Sequence, residues 1–202
     1  MPPPGMEPSL WDEVVVGGMP SEEEPSPATE KRFSIWQAKL SQCAKDNLTT
    51  MRAGGFIVSW TFEGTDPQPD ECTPESTGIV IGPGGSATFS ASCLEGVEDV
   101  GDLDGNGHRD LLIVHVDCAY GPMDTLGLDV YAGGPKAPKT MPLPPIPGDV
   151  SAADGVLYKG QSGLQIATVA DAARSDDLPE TRTLVMWERG ELTVVASQTD
   201  EP

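Results

Sequence analysis

Cations are what this sequence has least of. Only 12 Lys and Arg stand against 32 Asp and Glu in 202 residues, a formal charge of −20 with two His. Such a surface repels phosphate backbones and anionic headgroups, so nucleic acids and membrane surfaces are excluded as natural partners, while cations and basic proteins fit. Long apolar runs are missing too, and nothing approaches the ~18 residues of a membrane span. Aromatic residues make up only 5%. No cysteine pair has C-x-x-C spacing, which argues against zinc and thioredoxin-type chemistry. The N-terminus has no basic start, apolar core or small-residue cleavage site. No serine or cysteine sits in a recognisable nucleophile elbow, and no catalytic or organic-cofactor site is assigned.

Glycine and proline, by contrast, are abundant, at 23 and 20 residues. They argue against a helical bundle and for short strands joined by turns. Cys43, Cys72, Cys93 and Cys118 are even in number. We read two disulfides, of unassigned pairing, and hence an oxidising compartment with a leader removed before this numbering begins. Small buried thiols are the alternative, suited best to Cys93 and Cys118.

Residues 1–30 hold seven Pro, seven acids and no Lys or Arg. Such a stretch buries too little apolar surface to offset its ordering entropy and reads as a tail or tether. An apolar island, Leu10-Trp11 with Val14-Val15-Val16, interrupts it. The island is either a segment within residues 1–25 that docks on a protein partner, or a short strand added to the body. A helix over about 27–48 is expected next: Ser26 caps it, Pro27 suits its first turn, and Phe33, Trp36, Leu40, Cys43, Ala44 and Leu48 recur at three- and four-residue steps. Lys31, Arg32, Lys39 and Lys45 there form a solvated basic face.

From residue 55 the pattern alternates. Phe56, Val58, Trp60 and Phe62 point one way, Ser59 and Thr61 the other. Further strands are expected at 77–81, 87–93, 111–117, 128–132, 155–159, 164–170, and at 182–188 with 192–197, a hairpin turning at Gly190. Gly82-Pro83-Gly84-Gly85 marks another turn. Six Pro in residues 135–147 rule out helix or central strand and give a rigid surface crossover, or a polyproline ligand for an aromatic groove. Residues 66–74 and 172–179 are acidic loops. The fold class is mainly β: an antiparallel β-sandwich, small barrel or partial propeller-like sheet of eight or nine strands over residues 31–202, with one N-terminal helix.

Chemistry concentrates in Glu98–His115, EDVGDLDGNGHRDLLIVH. Asp102, Asp104, Asn106 and Asp110 stand at positions 1, 3, 5 and 9 of a nine-residue loop, with Gly105 and Gly107 between them. A hard divalent cation needs six to eight converging oxygens. Alternate residues of a tightly wound loop supply them, and glycine allows the left-handed winding. The carbonyl of His108 is a further candidate ligand. Three carboxylates around a +2 ion leave a charge of about −1, which favours Ca²⁺ at extracellular levels. The EF-hand needs a Glu at position 12 and flanking helices, but Ile113 stands there and the flank is β-rich.

The string Val100-Gly101-Asp102-Leu103-Asp104-Gly105-Asn106-Gly107-His108-Arg109-Asp110-Leu111 resembles the FG-GAP/VCBS repeat, the calcium-loop unit of integrin α-subunit propeller blades and of many secreted bacterial proteins. The resemblance covers about 20 residues. It implies a loop between two strands, side-chain ligands Asp102, Asp104, Asn106 and Asp110, and a backbone ligand at His108. No second D-x-D-G-N-G occurs; Asp149–Asp154 and Asp171–Asp177 have acids without the spacing. A closed propeller needs more blades than the two or so this strand count fills, so the loop reads as set into a smaller β-domain.

Weaker constellations are read structurally. His115 and Asp117 share a strand face as a base with an orienting carboxylate would, or as a satisfied structural pair. Glu98 and Asp99 diverge on a strand, so they support the loop rather than form a glycosidase pair. Trp60 and Trp187 belong to sheet faces. The functional expectation is a secreted, periplasmic or surface domain that binds one Ca²⁺ and acts as an interaction or accessory subunit, not an enzyme. A small extracytoplasmic hydrolase and an acidic inhibitor of a basic target are the alternatives.

Overall fold

The computed structural model describes residues 10–16, 23–61, 77–89, 93–116, 126–170 and 179–200. Cys72, Phe62, Asp117, Cys118 and the acidic loops 66–74 and 171–178 lie outside these. The first element is a 3₁₀ turn, Leu10–Glu13, running into β1 (Val14–Val16). Two helices follow, α1 (Pro27–Ala38) and α2 (Gln42–Asp46). Twelve strands then form three antiparallel sheets. Sheet I holds β2 (Leu48–Ala53), β3 (Phe56–Thr61), β4 (Thr77–Gly82) and β5 (Gly85–Phe89). Sheet II holds β6 (Cys93–Gly101), β7 (Asp110–Val116), β8 (Leu126–Ala132) and β9 (Lys139–Met141). Sheet III holds β10 (Asp149–Tyr158), β11 (Gln161–Val169), β12 (Glu180–Glu188) and β13 (Glu191–Thr199), with β1 added beside β10.

Each sheet is an up-and-down meander in chain order. Two-residue turns close the hairpins at 54–55, 159–160 and 189–190, with positive φ at both positions. That geometry matches the twist of the flanking strands, and the expected turn at Gly190 is one of the three. Among the described residues thirteen strands replace the eight or nine expected, and three four-stranded meanders replace two or so blades' worth. None of the sheets closes into a barrel; the arrangement is a layered sandwich.

Sheet II is the middle layer. Leu111, Ile113 and Tyr131 pack with Phe56, Val58, Trp60 and Val80 of sheet I. On the other face Leu112 and Val130 pack with Leu164, Ile166, Val185 and Leu192 of sheet III. A strand buried on both faces has no polar side, which is why β7 reads as a continuous apolar run rather than an alternation. The outer layers are covered as well. Phe33 of α1, flanked by Trp36, lies on Ile57, Ile79 and Ile81 of sheet I. Leu10, Trp11 and Val14 lie on Val156, Leu184 and Met186 of sheet III.

The apolar island of the N-terminal tail is therefore a strand of the body, the second of the two options. Val14, Val15 and Val16 pair with Tyr158, Leu157 and Val156. Arg182 stacks over Trp11 at 5.4 Å, and Lys159 pairs with Glu13 at 3.2 Å. Trp11 should thus hold the segment on sheet III. Trp11→Ala removes a half-buried indole from an apolar face, and we expect a loss of about 1–2 kcal/mol, read as a lower thermal midpoint. An unchanged midpoint would show that residues 10–16 add nothing to the body.

The single helix expected over 27–48 is corrected. Ser26 does cap α1, accepting from Thr29 N at 3.2 Å, with Pro27 in the first turn. But the helix ends at Ala38, and Ser41 starts a second one by accepting from Ala44 N at 3.1 Å. The chain then turns extended at Leu48, where Thr49 and Thr50 favour a strand. Apolar three- and four-residue steps persist across this break, so periodicity alone joins what the caps separate. Arg32 is more than solvated surface: it donates to the Pro83 carbonyl at 2.8 Å, tying α1 to the β4–β5 turn. The proline-rich stretch is a crossover from sheet II to sheet III, and its one strand, β9, is an edge strand. Cys43 and Cys93 are both disulfide-bonded, so no described cysteine is a free thiol. Among the described residues no helix is long and apolar enough to cross a membrane.

Candidate metal centre

The loop of residues 102–109 joins β6 to β7 in the middle sheet, and strands flank it on both sides. Its winding begins at three glycines with positive φ, Gly101 (77°), Gly105 (73°) and Gly107 (84°). The wound backbone turns its N–H groups inward onto the carboxylates. Asn106 N donates to Asp102 Oδ1 and to Asp104 Oδ1, both at 3.0 Å, and Gly107 N donates to Asp102 Oδ2 at 2.8 Å.

Asp110 is the fully buried member, and both its oxygens are held. Gly133 N donates to Oδ1 at 2.8 Å; Leu103 N and Asp104 N donate to Oδ2 at 2.8 and 3.3 Å. One carboxylate thus ties the start of the loop, its end and the β8–β9 connection together. As a result, oxygens of Asp102, Asp104 and Asp110 all lie within 4.8 Å of one another.

Of the five residues expected from the sequence, these three are brought together as carboxylates. Asn106 adjoins them through its amide nitrogen, which donates to Asp104 Oδ2 at 2.9 Å and to the Gly133 carbonyl at 3.1 Å. Its oxygen accepts from His108 N at 2.8 Å. His108 is exposed at the loop's outer end.

Glu98 and Asp99 diverge as expected for adjacent strand residues. Glu98 accepts from Gly155 N at 3.1 Å and so links sheet II to sheet III. Asp99 accepts from Gly101 N at 3.0 Å and pairs with the Arg109 guanidinium, bracing the far end of the loop. His115 lies over Gly127 and 3.6 Å from Asp129; the Asp117 expected beside it lies outside the described residues. Sequence reasoning missed Gly133 and Arg109. Nothing local marks Gly133, and Arg109 is visible only as the one cation inside an acidic loop.

Three close carboxylates raise the cost of ionisation. Burial pushes Asp110 up to about 6 from its ordinary 3.8; donors from Gly133, Leu103 and Asp104 oppose this and the Asp104 charge adds to it. Burial likewise raises Glu98. A raised carboxyl binds its proton more tightly in the folded than in the unfolded chain, so ionised Asp110 costs stability at neutral pH. That cost disappears as the pH falls through the folded value towards the unfolded one. In chelator, the thermal midpoint should rise from about pH 7.5 to about pH 5, and by less in Asp110→Asn. Equal slopes for the two proteins would contradict the burial of this charge.

No protein-family model matches the chain, and no curated protein matches it. Among solved structures, one described as a Xanthomonas type IV secretion system related protein is similar over 78% of this chain and 97% of its own, at 12% identity and a TM-score of 0.34. A likeness that low carries no functional argument.

Proposed function

We propose that this chain is a calcium-binding β-domain that works by binding, as an interaction or accessory subunit of an extracellular or periplasmic assembly. The observation that carries the reading is the convergence of Asp102, Asp104 and Asp110 oxygens within 4.8 Å at the head of β7. Like charges are assembled there and half neutralised by backbone N–H groups, and a hard dication supplies the remaining neutralisation. Asp102, Asp104 and Asp110 would hold the ion, with Asn106 and the His108 carbonyl as the other members of the expected set. The ion's part is structural: it draws together β6, β7 and, through Gly133, β8.

The oxidising compartment is supported by the disulfide-bonded state of Cys43 and Cys93. A protein partner is supported by Val15 and Val16, 56% and 51% exposed on the strand that ends sheet III among the described residues, since an edge strand with apolar side chains favours pairing with another chain. The reading is tested by calorimetric titration of the chelator-treated protein with Ca²⁺ and with Mg²⁺. One Ca²⁺ per chain, bound more tightly than Mg²⁺ and lost in Asp104→Ala, is expected. Absence of heat and of any Ca²⁺-dependent rise in melting temperature would refute it.

A further inference from the structure

The loop forms one wall of a cleft of about 480 Å³, within the size range of small-ligand sites. Asp102, Asp104 and His108 line this wall. The opposite wall belongs to sheet III: the β10–β11 turn with Gln161, Ser162 at the start of β11, and Trp187 near the end of β12. The cleft therefore runs between the middle sheet and an outer one, with an acidic side and an aromatic side.

Two features of the sheet III wall point to a ligand independently of the acids. Trp187 is only half-buried: it packs against the core between sheets II and III and also lines the cleft. Ser162 is 8% exposed and lines the cleft, where its hydroxyl offers a donor and an acceptor. Gln161, exposed at the rim, adds an amide donor and acceptor.

We propose that the cleft binds a neutral polyhydroxylated ring, a sugar residue, stacked on Trp187 with hydroxyls bonded to Ser162 and Gln161. The charge balance selects this class. The chain's −20 disfavours anionic ligands. A dication in the loop brings its three carboxylates to about −1, and Arg109 also lines the cleft, so the local pull on a cation is weakened; in this respect the inference rests on the calcium reading. What remains is an aromatic face with convergent neutral polar groups.

The test uses the full chain in Ca²⁺, titrated with the methyl glycosides of glucose, galactose, mannose and N-acetylglucosamine. Tryptophan emission and calorimetry are the readouts. At least one glycoside should bind, its emission change should vanish in Trp187→Phe, and Ser162→Ala should bind it about tenfold more weakly. Both variants should keep Ca²⁺ binding and a cooperative melting transition, Trp187→Phe at a somewhat lower temperature because Trp187 also packs on the core. The inference is overturned if no glycoside binds a protein that calorimetry shows to bind Ca²⁺, or if a tri-arginine peptide alters Trp187 emission and the glycosides do not. Should Ca²⁺ itself fail to bind, the titration in chelator decides: a Trp187-dependent glycoside signal upholds the cleft without the cation, and silence overturns both readings.

Discussion

Asp110→Ala is expected to destabilise the protein by about 2–4 kcal/mol whether or not calcium is present, because it strands three backbone donors in the interior. Leu103 N and Gly133 N belong to buried residues, and both lose their acceptor together with Asp104 N. Relief of a buried charge returns part of that loss, which is why the figure is below three full desolvation penalties. At this chain length it corresponds to a fall in thermal midpoint of roughly 5–15 °C. Asp104→Ala should behave differently. Its carboxylate is half-buried and serves only Asn106, so in chelator the variant should melt close to the parent, helped by the lost repulsion on Asp110. In calcium at about a hundred times the Kd it should lack the whole ligand-derived increment, near 2.7 kcal/mol. Melting curves of both variants with calcium and with chelator separate the roles. Equal loss for Asp104→Ala in the two conditions would refute coordination. A harmless Asp110→Ala in chelator would refute its part as a structural tie.

This contrast marks where sequence reading reaches its limit. The alternate spacing of Asp102, Asp104, Asn106 and Asp110 is local information, and so is the glycine placement that winds the loop; both were legible. That Asp110 is the buried tie while Asp104 is the half-exposed acid depends on Gly133, twenty-three residues further on. The strands divide in the same way. β3 and the β12–β13 hairpin announce themselves by alternation and a turn. β6 hides because Glu95, Glu98 and Asp99 break its apolar pattern. Two of those acids are satisfied by partners no local rule supplies, Gly155 N and Arg109. β2 is missed: the expected helix runs on to its first residue, Leu48, which continues the three- and four-residue steps, and residues 49–53 carry no clear alternation; only the Ser41 cap and the β-branched Thr49-Thr50 argue for the strand. The partition of the sheets into three layers follows from which face of β7 meets which neighbour, and a run apolar on both faces does not say.

Gly133→Ala should be the most damaging single methyl in the neighbourhood of the loop. An added Cβ would lie 2.0 Å from the Arg109 carbonyl oxygen and 3.0 Å from the Phe56 ring. The first obstacle is backbone at the end of the loop, which yields only by moving away from the β8–β9 connection. That movement opens both bonds Gly133 makes with the loop: its N–H to Asp110 Oδ1 at 2.8 Å and its carbonyl to Asn106 Nδ2 at 3.1 Å. Overpacking and lost hydrogen bonds together give an expected cost of about 3 kcal/mol or more. Gly105→Ala and Gly107→Ala make the comparison. Each has left-handed backbone, φ 73° and 84°, but an added Cβ meets nothing within 4 Å. Their cost is therefore conformational, about 1–2 kcal/mol each. Urea unfolding in chelator should rank Gly133→Ala well below the other two in stability. Calcium titration asks a separate question of the same proteins. If the ion site is made by local winding, Gly105→Ala and Gly107→Ala should weaken it most. The placement of Asp110 by a distant turn argues the reverse, that Gly133→Ala should lose at least tenfold in affinity while the two loop variants lose less. The opposite ranking would mean that the nine-residue loop is self-sufficient and that its link to β8 serves the fold alone.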